Sequence, residues 1–216
     1  MVPIHETHGV WYGLCEGSDL DEMAILLGEV FSRYDPPAVA AGITPEEFEA
    51  FVRLLLPTVE AGGLTIVARS ADTGDMVGAL LAEDSAAELP AGLEGLSPKF
   101  DPVFDILGQL DTEYWQGEEP DKGHYLHLFL VGVAPASGGR GVAQQLVETC
   151  VENGVRKGYR FGVTEATNAV SQHIFRKLGF VDRVQRSYQD HRYQGQAVFA
   201  SIDGHAGPIL MDRRLS

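Results

Sequence analysis

Positive charge is scarce in this chain. Its 216 residues hold 16 Lys and Arg against 31 Asp and Glu, a formal net charge of −15. A basic groove for nucleic acid is excluded at that balance. No apolar run approaches the roughly 18–20 residues that cross a bilayer, so no membrane span is expected. Cysteine is nearly absent. Cys15 and Cys150 lie far apart, and in a cytoplasmic protein this residue type is more often a small buried hydrophobe than half of a bridge. Residues 1–10 carry His5, Glu6 and His8 in place of a basic-then-apolar pattern. No secretory signal is expected, and the address reads as cytoplasmic. The seven histidines suggest no metal site. His124 and His127 are three apart on an expected strand and so point to opposite faces, and His5 and His8 fall in an expected loose terminus. Repeats and low-complexity tracts are missing too.

What is present is an ordinary globular composition, 44% hydrophobic and 22% charged. The length fits one domain over residues 1–216. Residues 1–123 hold 5 basic and 24 acidic side chains, residues 124–216 hold 11 and 7. An acidic half beside a mildly basic one suits a cationic substrate next to an anionic cofactor; unevenly charged solvated loops give the same tally.

Residues 9–16 read as a strand. Ser18-Asp19 starts a helix from about Leu20 to Arg33, with Met23, Ile25, Leu26, Leu27, Val30 and Phe31 at helical spacing. Asp35-Pro36-Pro37 ends it. Thr44-Pro45-Glu46-Glu47 is a capping box with proline at the first helical position, opening a helix that Gly62-Gly63 stops. Residues 64–70 and 76–82 read as a hairpin, 84–98 as a loop, 99–115 as a helix and 124–133 as the central strand. A helix over 141–157, a strand over 160–166, a helix over 168–178 and strands near 180–190, 196–201 and 208–214 complete an α/β pattern with a mixed sheet.

The informative segment is Val131-Gly132-Val133-Ala134-Pro135-Ala136-Ser137-Gly138-Gly139-Arg140-Gly141-Val142-Ala143, between a buried strand and an amphipathic helix. A glycine-rich turn there directs backbone N–H groups into one concavity at a helix N-terminus, a setting for a pyrophosphate that Arg140 can supplement. A P-loop needs Gly-Lys-Ser/Thr, which is missing. A dinucleotide fingerprint needs a third small residue where Gln144 stands.

Val133-Ala134-Pro135 and Gly141-Val142-Ala143 resemble the cofactor loop of the GNAT acetyltransferases, R/Q-x-x-G-x-G/A after a strand ending in V-x-P. Gly138 stands where that family usually has Arg or Gln. Asn168-Ala169-Val170-Ser171 through Phe175-Arg176-Lys177-Leu178-Gly179-Phe180 resembles the second motif, N-x-x-(S/A)-x-x-x-(Y/F)-x-K-L-G-F. Over nearly the whole chain the sequence is similar to the arylalkylamine N-acetyltransferase branch. Tyr34-Asp35-Pro36-Pro37 resembles its D-E-P-L, and Ser97-Pro98-Lys99-Phe100, residues 194–199 and residues 207–211 sit where it has similar strings.

The resemblance implies the GNAT fold, a mixed, mostly antiparallel central sheet flanked by helices. It implies transfer of acetyl from acetyl-CoA to a small primary amine, arylalkylamine or polyamine-like. The central strand and the next one splay, and the pantetheine arm lies in the gap. Val131, Gly132 and Val133 would hold that arm by their backbone, Gly138, Gly139, Arg140, Gly141, Val142 and Ala143 the pyrophosphate, and Asn168 the other side. An attacking amine must be neutral. With a pKa of about 10.4, stripping its proton near pH 7 costs about 4 kcal/mol, which a general base addresses. Asp35 matches the branch's base, one methylene shorter, and Glu29 is the rival. Thr167 and Ser171 match two hydroxyls near the thioester, and four residues apart they share a face if both are helical. Without the family, Asp35 reads as a turn residue and Thr167 as an N-cap. Phe175 replaces an acidic Tyr and cannot donate a proton, which favours Ser171 as the acid. Trp11, Tyr12, Tyr34, Tyr114, Trp115 and Tyr188 are candidate walls for the acceptor. An enzyme acetylating protein Lys or N-termini, and an acyl-CoA-binding module without chemistry, stay open as alternatives. So does the oligomeric state, a homodimer included.

Overall fold

The computed structural model describes residues 1–215. Its strands are β1 Val2–Thr7, β2 Val10–Leu14, β3 Ile66–Ser70, β4 Met76–Asp84, β5 Tyr125–Val133, β6 Phe161–Ala166, β7 Val181–Gln185 and β8 Ile209–Arg214. They form one sheet in the order β1-β2-β3-β4-β5-β6-β8-β7. Every neighbouring pair is antiparallel except β5 and β6, which run parallel. The helices are α1 Leu20–Tyr34, α2 Pro36–Ala41, α3 Pro45–Gly62, α4 Asp101–Trp115, α5 Val142–Lys157 and α6 Ala169–Lys177.

Two apolar clusters sandwich the sheet. On one face Met23 and Leu27 of α1, Phe48, Phe51, Val52 and Leu55 of α3 and Phe100 just before α4 pack on Ala79, Leu81 and Leu130. On the other, Val142, Leu146, Val147 and Cys150 of α5 pack on Leu64, Ile66, Leu80, Leu126 and Leu128. Each fully buried Leu or Phe contributes about 1.5–3 kcal/mol by leaving water. α1 and α3 cross closely because Gly28 faces α3; a Cβ there would stand 2.9 Å from the Pro45 carbonyl oxygen. The Thr44–Glu47 capping box forms at the start of α3, as its sequence predicts. Cys15 and Cys150 are both free thiols, and Cys150 is buried. No described helix is long and apolar enough to cross a membrane.

The register between β4 and β5 shifts at Leu81/Ala82. Leu81 pairs with Leu130 and Ala82 with Leu128, leaving Phe129 unmatched. This bulge turns Phe129 and Leu130, neighbours in sequence, toward the same apolar cluster. β5 pairs with β6 only at Tyr125–Phe161, Leu126–Gly162 and His127–Val163. Beyond that the strands diverge, and the Thr164 hydroxyl donates across to the Leu128 carbonyl at 2.9 Å.

Three expectations need correction. Residues 2–7, expected as a loose terminus, form β1, with the His5 ring stacked on Tyr12 at 5.2 Å. The double proline does stop α1, but it also opens α2, since proline is pre-organised for a first helical turn. Residues 196–201 are not a strand. Gln194 and Gly195, both at positive φ, reverse the chain, and the turn bonds Ala200 to Ala197 and Ile202 to Phe199 follow, with Phe199 buried against Tyr188.

Candidate active site

On the α1–α3–α4 face of the sheet, beside the divergence of β5 and β6, lies a cavity of 570 Å³. Seven phenylalanines contribute to its walls, Phe31, Phe48, Phe51, Phe100, Phe104, Phe129 and Phe175, among aliphatic and polar side chains. The tryptophans and tyrosines expected to wall the acceptor are elsewhere. Trp11 and Tyr34 are exposed, Tyr12 belongs to the core on the opposite face, and Tyr114 and Trp115 pack on each other. Tyr188 alone touches the site, from behind, donating to the Thr167 carbonyl at 2.8 Å.

Asp35 is the C-cap of α1 and the residue before α2, and this tight junction buries it to 7% exposure at the cavity wall. The Thr167 hydroxyl donates to its Oδ1 at 2.5 Å. Burial pushes the carboxyl up from 3.8 to about 6, with the Thr167 hydroxyl and the Ala38 amide drawing it partly back. A carboxylate poised there is neither permanently charged nor permanently neutral near physiological pH. Glu29, the rival, points to solvent and pairs with Arg33 at 2.7 Å. It does not border the cavity, because it lies on the outer face of α1.

Thr167 is not helical and is not a cap. It follows β6, and Asn168 is the N-cap of α6, its Oδ1 accepting from Val170 and Ser171 N–H groups at 3.0 and 2.9 Å. The shared helix face expected for Thr167 and Ser171 is therefore absent, although both residues line the cavity. The Ser171 hydroxyl completes the capping box by accepting from the Asn168 N–H at 3.4 Å, and it donates to the Asn168 carbonyl at 2.9 Å. Gln172 steadies the approach to Thr167 by donating to the Ala166 and Gly207 carbonyls at 3.1 and 2.9 Å. Replacing Ser171 by Ala is expected to cost about 1 kcal/mol of stability through the lost hydrogen bonds to the Asn168 backbone, measured by urea denaturation against wild type; an unchanged midpoint would dissociate the hydroxyl from the capping box.

The backbone facing the gap is available to a ligand. Ala134 N–H donates to the Val77 carbonyl of β4 at 2.9 Å. Strand alternation then turns the N–H and C=O groups of Val131 and Val133 to the opposite edge, where β6 has diverged. Gly132 does not share this role, because the same alternation turns its N–H and C=O toward Ala79 of β4; its missing side chain makes room for α1, where a Cβ would stand 2.8 Å from Leu27. Past Val133, Pro135–Ser137 form one 3-10 turn. Gly138 is extended, whereas Gly139 and Gly141 take φ of 72° and 79°, and a Cβ on either would meet nothing within 4 Å. The chain thus needs glycine for conformation, and space lies open above the loop. The first intrahelical bond of α5 runs from Gln145 N–H to Gly141. The N–H groups of Val142, Ala143 and Gln144 precede it and face the same opening with the helix dipole behind them. These features fit a coenzyme A pyrophosphate. The Val142 side chain is buried, so it offers only its backbone. Arg140 reaches sideways to the His8 carbonyl at 3.3 Å. A second cation, missed in the sequence, is Lys177, which holds the Gln144 side chain of the first helical turn at 2.7 Å.

The sequence reading also missed a polar cluster at the inner end of the cavity. His127 does not oppose His124, which precedes β5 and faces Asp121 at 3.3 Å. His127 instead sets Nε2 2.7 Å from Glu165 and Nδ1 3.3 Å from Glu83. Burial alone would lower this imidazole, but Glu165 and Glu83 outweigh it and push it up to about 10. Asp111 of α4 stands against Glu165, and burial and that like charge raise its carboxyl well above the usual range. The strand period held the available signal, since Glu165 and Thr167 alternate onto one face of an otherwise apolar segment. No cluster of metal-binding geometry occurs among the described residues.

Residues 61–180, more than half of the chain, match the model of the Acetyltransferase (GNAT) family. Among solved structures, the C-terminal condensation domain of Ebony in complex with beta-alanyl-dopamine superposes with a TM-score of 0.85 at 13% identity, covering 95% of this chain and 98% of that one. Arylalkylamine N-acetyltransferase 2 from Aedes aegypti gives 0.82 at 20% identity, covering 97% and 100%. A Drosophila melanogaster polyamine N-acetyltransferase gives 0.76 at 22% identity, covering 95% and 99%. At these identities the likeness concerns the fold, and the family match concerns the chemistry. The splayed β5–β6 pair, the glycine loop opening α5 and the capped α6 all fall within the matched segment: the chain belongs to the GNAT family of acetyltransferases.

Proposed function

We propose that this enzyme transfers an acetyl group from acetyl-CoA to a small primary amine, with Asp35 as the general base. The observation that carries the proposal is the buried Asp35–Thr167 pair at the wall of a phenyl-lined cavity beside the strand gap. Acetyl-CoA supplies the activated thioester. Its arm is assigned to the Val131 and Val133 backbone, and its pyrophosphate to the loop from Gly138 to Ala143. The cavity receives the carbon skeleton of the acceptor and excludes water from it. The Asp35 carboxylate takes the ammonium proton, and its value of about 6 suits a base working near neutral pH. Thr167 fixes the carboxylate by its hydroxyl, and Ser171 is assigned as the proton donor to the departing thiolate, leaving its cap bond to do so. That two structures of similar fold are named as amine N-acetyltransferases agrees with this choice of acceptor.

The test is release of free thiol from acetyl-CoA with a panel of amines and a panel of lysine-bearing and free-N-terminal peptides. Turnover of small amines is expected. Turnover confined to peptides would replace the acceptor class, and acetyl-CoA binding without turnover of either panel would leave a binding module.

A further inference from the structure

The Thr167 hydroxyl meets Asp35 at the cavity wall, but what aims it lies outside the cavity, in the connection from β7 to β8. Thr167 stands between two ladders. Ala166 is the last residue of β6 paired with β8, and the Asn168 carbonyl accepts the first bond of α6, from Gln172 N–H at 3.0 Å. The Thr167 carbonyl belongs to neither ladder. The Tyr188 hydroxyl fills the place of the missing donor, at 2.8 Å. Tyr188 is wholly buried, with its ring against Phe199 at 5.6 Å. Its backbone is tied down as well. Tyr188 N–H donates to the Ala206 carbonyl at 3.0 Å and Arg186 N–H to the Pro208 carbonyl at 3.1 Å. Between these bonds Gly207 lies so close that a Cβ on it would collide with the Arg186 carbonyl oxygen. Burial, with the nearby Asp35 charge, pushes the Tyr188 phenol far above its usual range, so it stays a donor at every working pH.

We infer that Tyr188 is a positioning residue for the acetyl transfer: by fixing the Thr167 peptide from behind, it aims the Thr167 hydroxyl at Asp35 and so sets the pH at which the base works. The inference rests on the proposed role of Asp35 as base and adds a residue to it. A hydroxyl donated to a carboxylate favours the ionised form. Of the two contacts that draw Asp35 down against burial, the Thr167 hydroxyl is the larger and the Ala38 amide the smaller. With Thr167 free to turn, burial is less opposed and Asp35 holds its proton to higher pH. The other ionisable groups around Asp35 are engaged or turned away. α2 has none. On α1, Glu29 and Arg33 pair in solvent and Tyr34 is exposed; on α6, His173, Arg176 and Lys177 are exposed. Glu165 of β6 is held by His127, with Asp111 of α4 against it, and Asp105 of α4 by His191. His205, beyond Tyr188, accepts from Ala169 N–H. The Asp35 value answers to burial, Thr167 and Ala38.

The experiment measures kcat/KM against pH for wild type, Tyr188→Phe, Thr167→Val and the double variant, and follows the Asp35 carboxyl by carbon-13 NMR over the same range. Tyr188→Phe keeps the buried ring and removes only the hydroxyl. Its limb is expected about half a pH unit or more above the wild-type limb near 6, the scale of a weakened hydrogen bond to a charged group. At about pH 5 that is a loss of about threefold, and above about pH 8 the two enzymes should converge, with KM for acetyl-CoA unchanged. Lost packing alone would lower stability and leave the limb in place. Thr167→Val should move the limb further, and adding Tyr188→Phe to it should move it no more, because the route through the Thr167 hydroxyl is gone. A wild-type limb in Tyr188→Phe would overturn the inference. So would a displacement by Tyr188→Phe that is the same with and without the Thr167 hydroxyl. Should Tyr188→Phe not fold, Phe199→Leu, which unseats the ring and keeps its hydroxyl, must move the limb the same way. The NMR titration separates the layers. An Asp35 carboxyl raised in Tyr188→Phe, with no matching limb in the rate profile, retains the positioning and refutes Asp35 as the base. A limb that Asp35→Asn abolishes and Tyr188→Phe leaves in place does the reverse.

Discussion

Replacing Asp35 by asparagine is expected to lower turnover of the preferred amine by about 100-fold or more, the usual scale for a positioned base. The variant keeps the size of the side chain and an oxygen to accept from Thr167, so the loss isolates the proton transfer. The pH profile carries the sharper signature. In wild type kcat/KM should rise with pH through a limb near 6, where Asp35 ionises. In Asp35→Asn that limb should vanish, leaving only the rise from deprotonation of the amine itself. Stability should move the other way. Because the folded carboxyl titrates above its unfolded value of 3.8, the protonated form is the one that suits the fold. That contribution is full below pH 3.8 and is lost as pH rises through about 6. By about pH 8 the ionised group costs about 3 kcal/mol relative to an ordinary carboxyl. Asp35→Asn should therefore unfold at higher urea than wild type at pH 8, with the advantage fading toward pH 4. A variant that retains wild-type turnover across the range would eliminate Asp35 as the base.

The second large effect is expected at Gly141. Coenzyme A at 100 times its dissociation constant should add about 2.7 kcal/mol to wild type, about 5–10 °C in melting temperature for a chain of this size. Gly141→Val should abolish that shift. A β-branched residue is a steric outlier at a φ of 79°, so the turn must rearrange and the N–H groups of Val142 and Ala143 lose their common direction. The same strain should cost the free protein about 1–2 kcal/mol. Thermal shift with and without coenzyme A reads both effects. An undiminished shift in a folded Gly141→Val protein would remove the loop from the binding site.

The elements most legible in the sequence were those encoded by neighbouring residues. The Thr44–Glu47 box, the amphipathic stretch that became α5 and the glycine loop before it carry their signals within a few positions. β1 was illegible because Val2–Thr7 is half polar and becomes a strand only by lying against β2. α2 was hidden because Asp35-Pro36-Pro37 is a good stop signal and an equally good start. At the site, Asp35, Thr167 and Ser171 line one cavity, as their positions in the resembled motifs led one to expect. The contacts that define them did not follow from those positions: Asn168 took the cap assigned to Thr167, freeing the Thr167 hydroxyl for Asp35. The Glu83–Asp111–His127–Glu165 cluster was beyond reach. Its members come from four elements, and only the closure of α4 over the sheet makes them neighbours.

The divergence of β5 and β6 also bears on how the molecule holds together. The five N-terminal strands meet the three C-terminal ones through three directly paired positions and the Thr164–Leu128 bond. Cooperativity in a sheet is transmitted along its ladders, and this ladder is interrupted midway. Side-chain packing carries the load that the ladder does not: one apolar cluster runs from Leu126 and Leu128 of β5 to Ala166 of β6, Phe175 of α6 and Met211 of β8. An extended chain laid along the Val131–Val133 edge would splice the ladder, so that co-substrate occupancy and the mechanical continuity of the sheet rise and fall together.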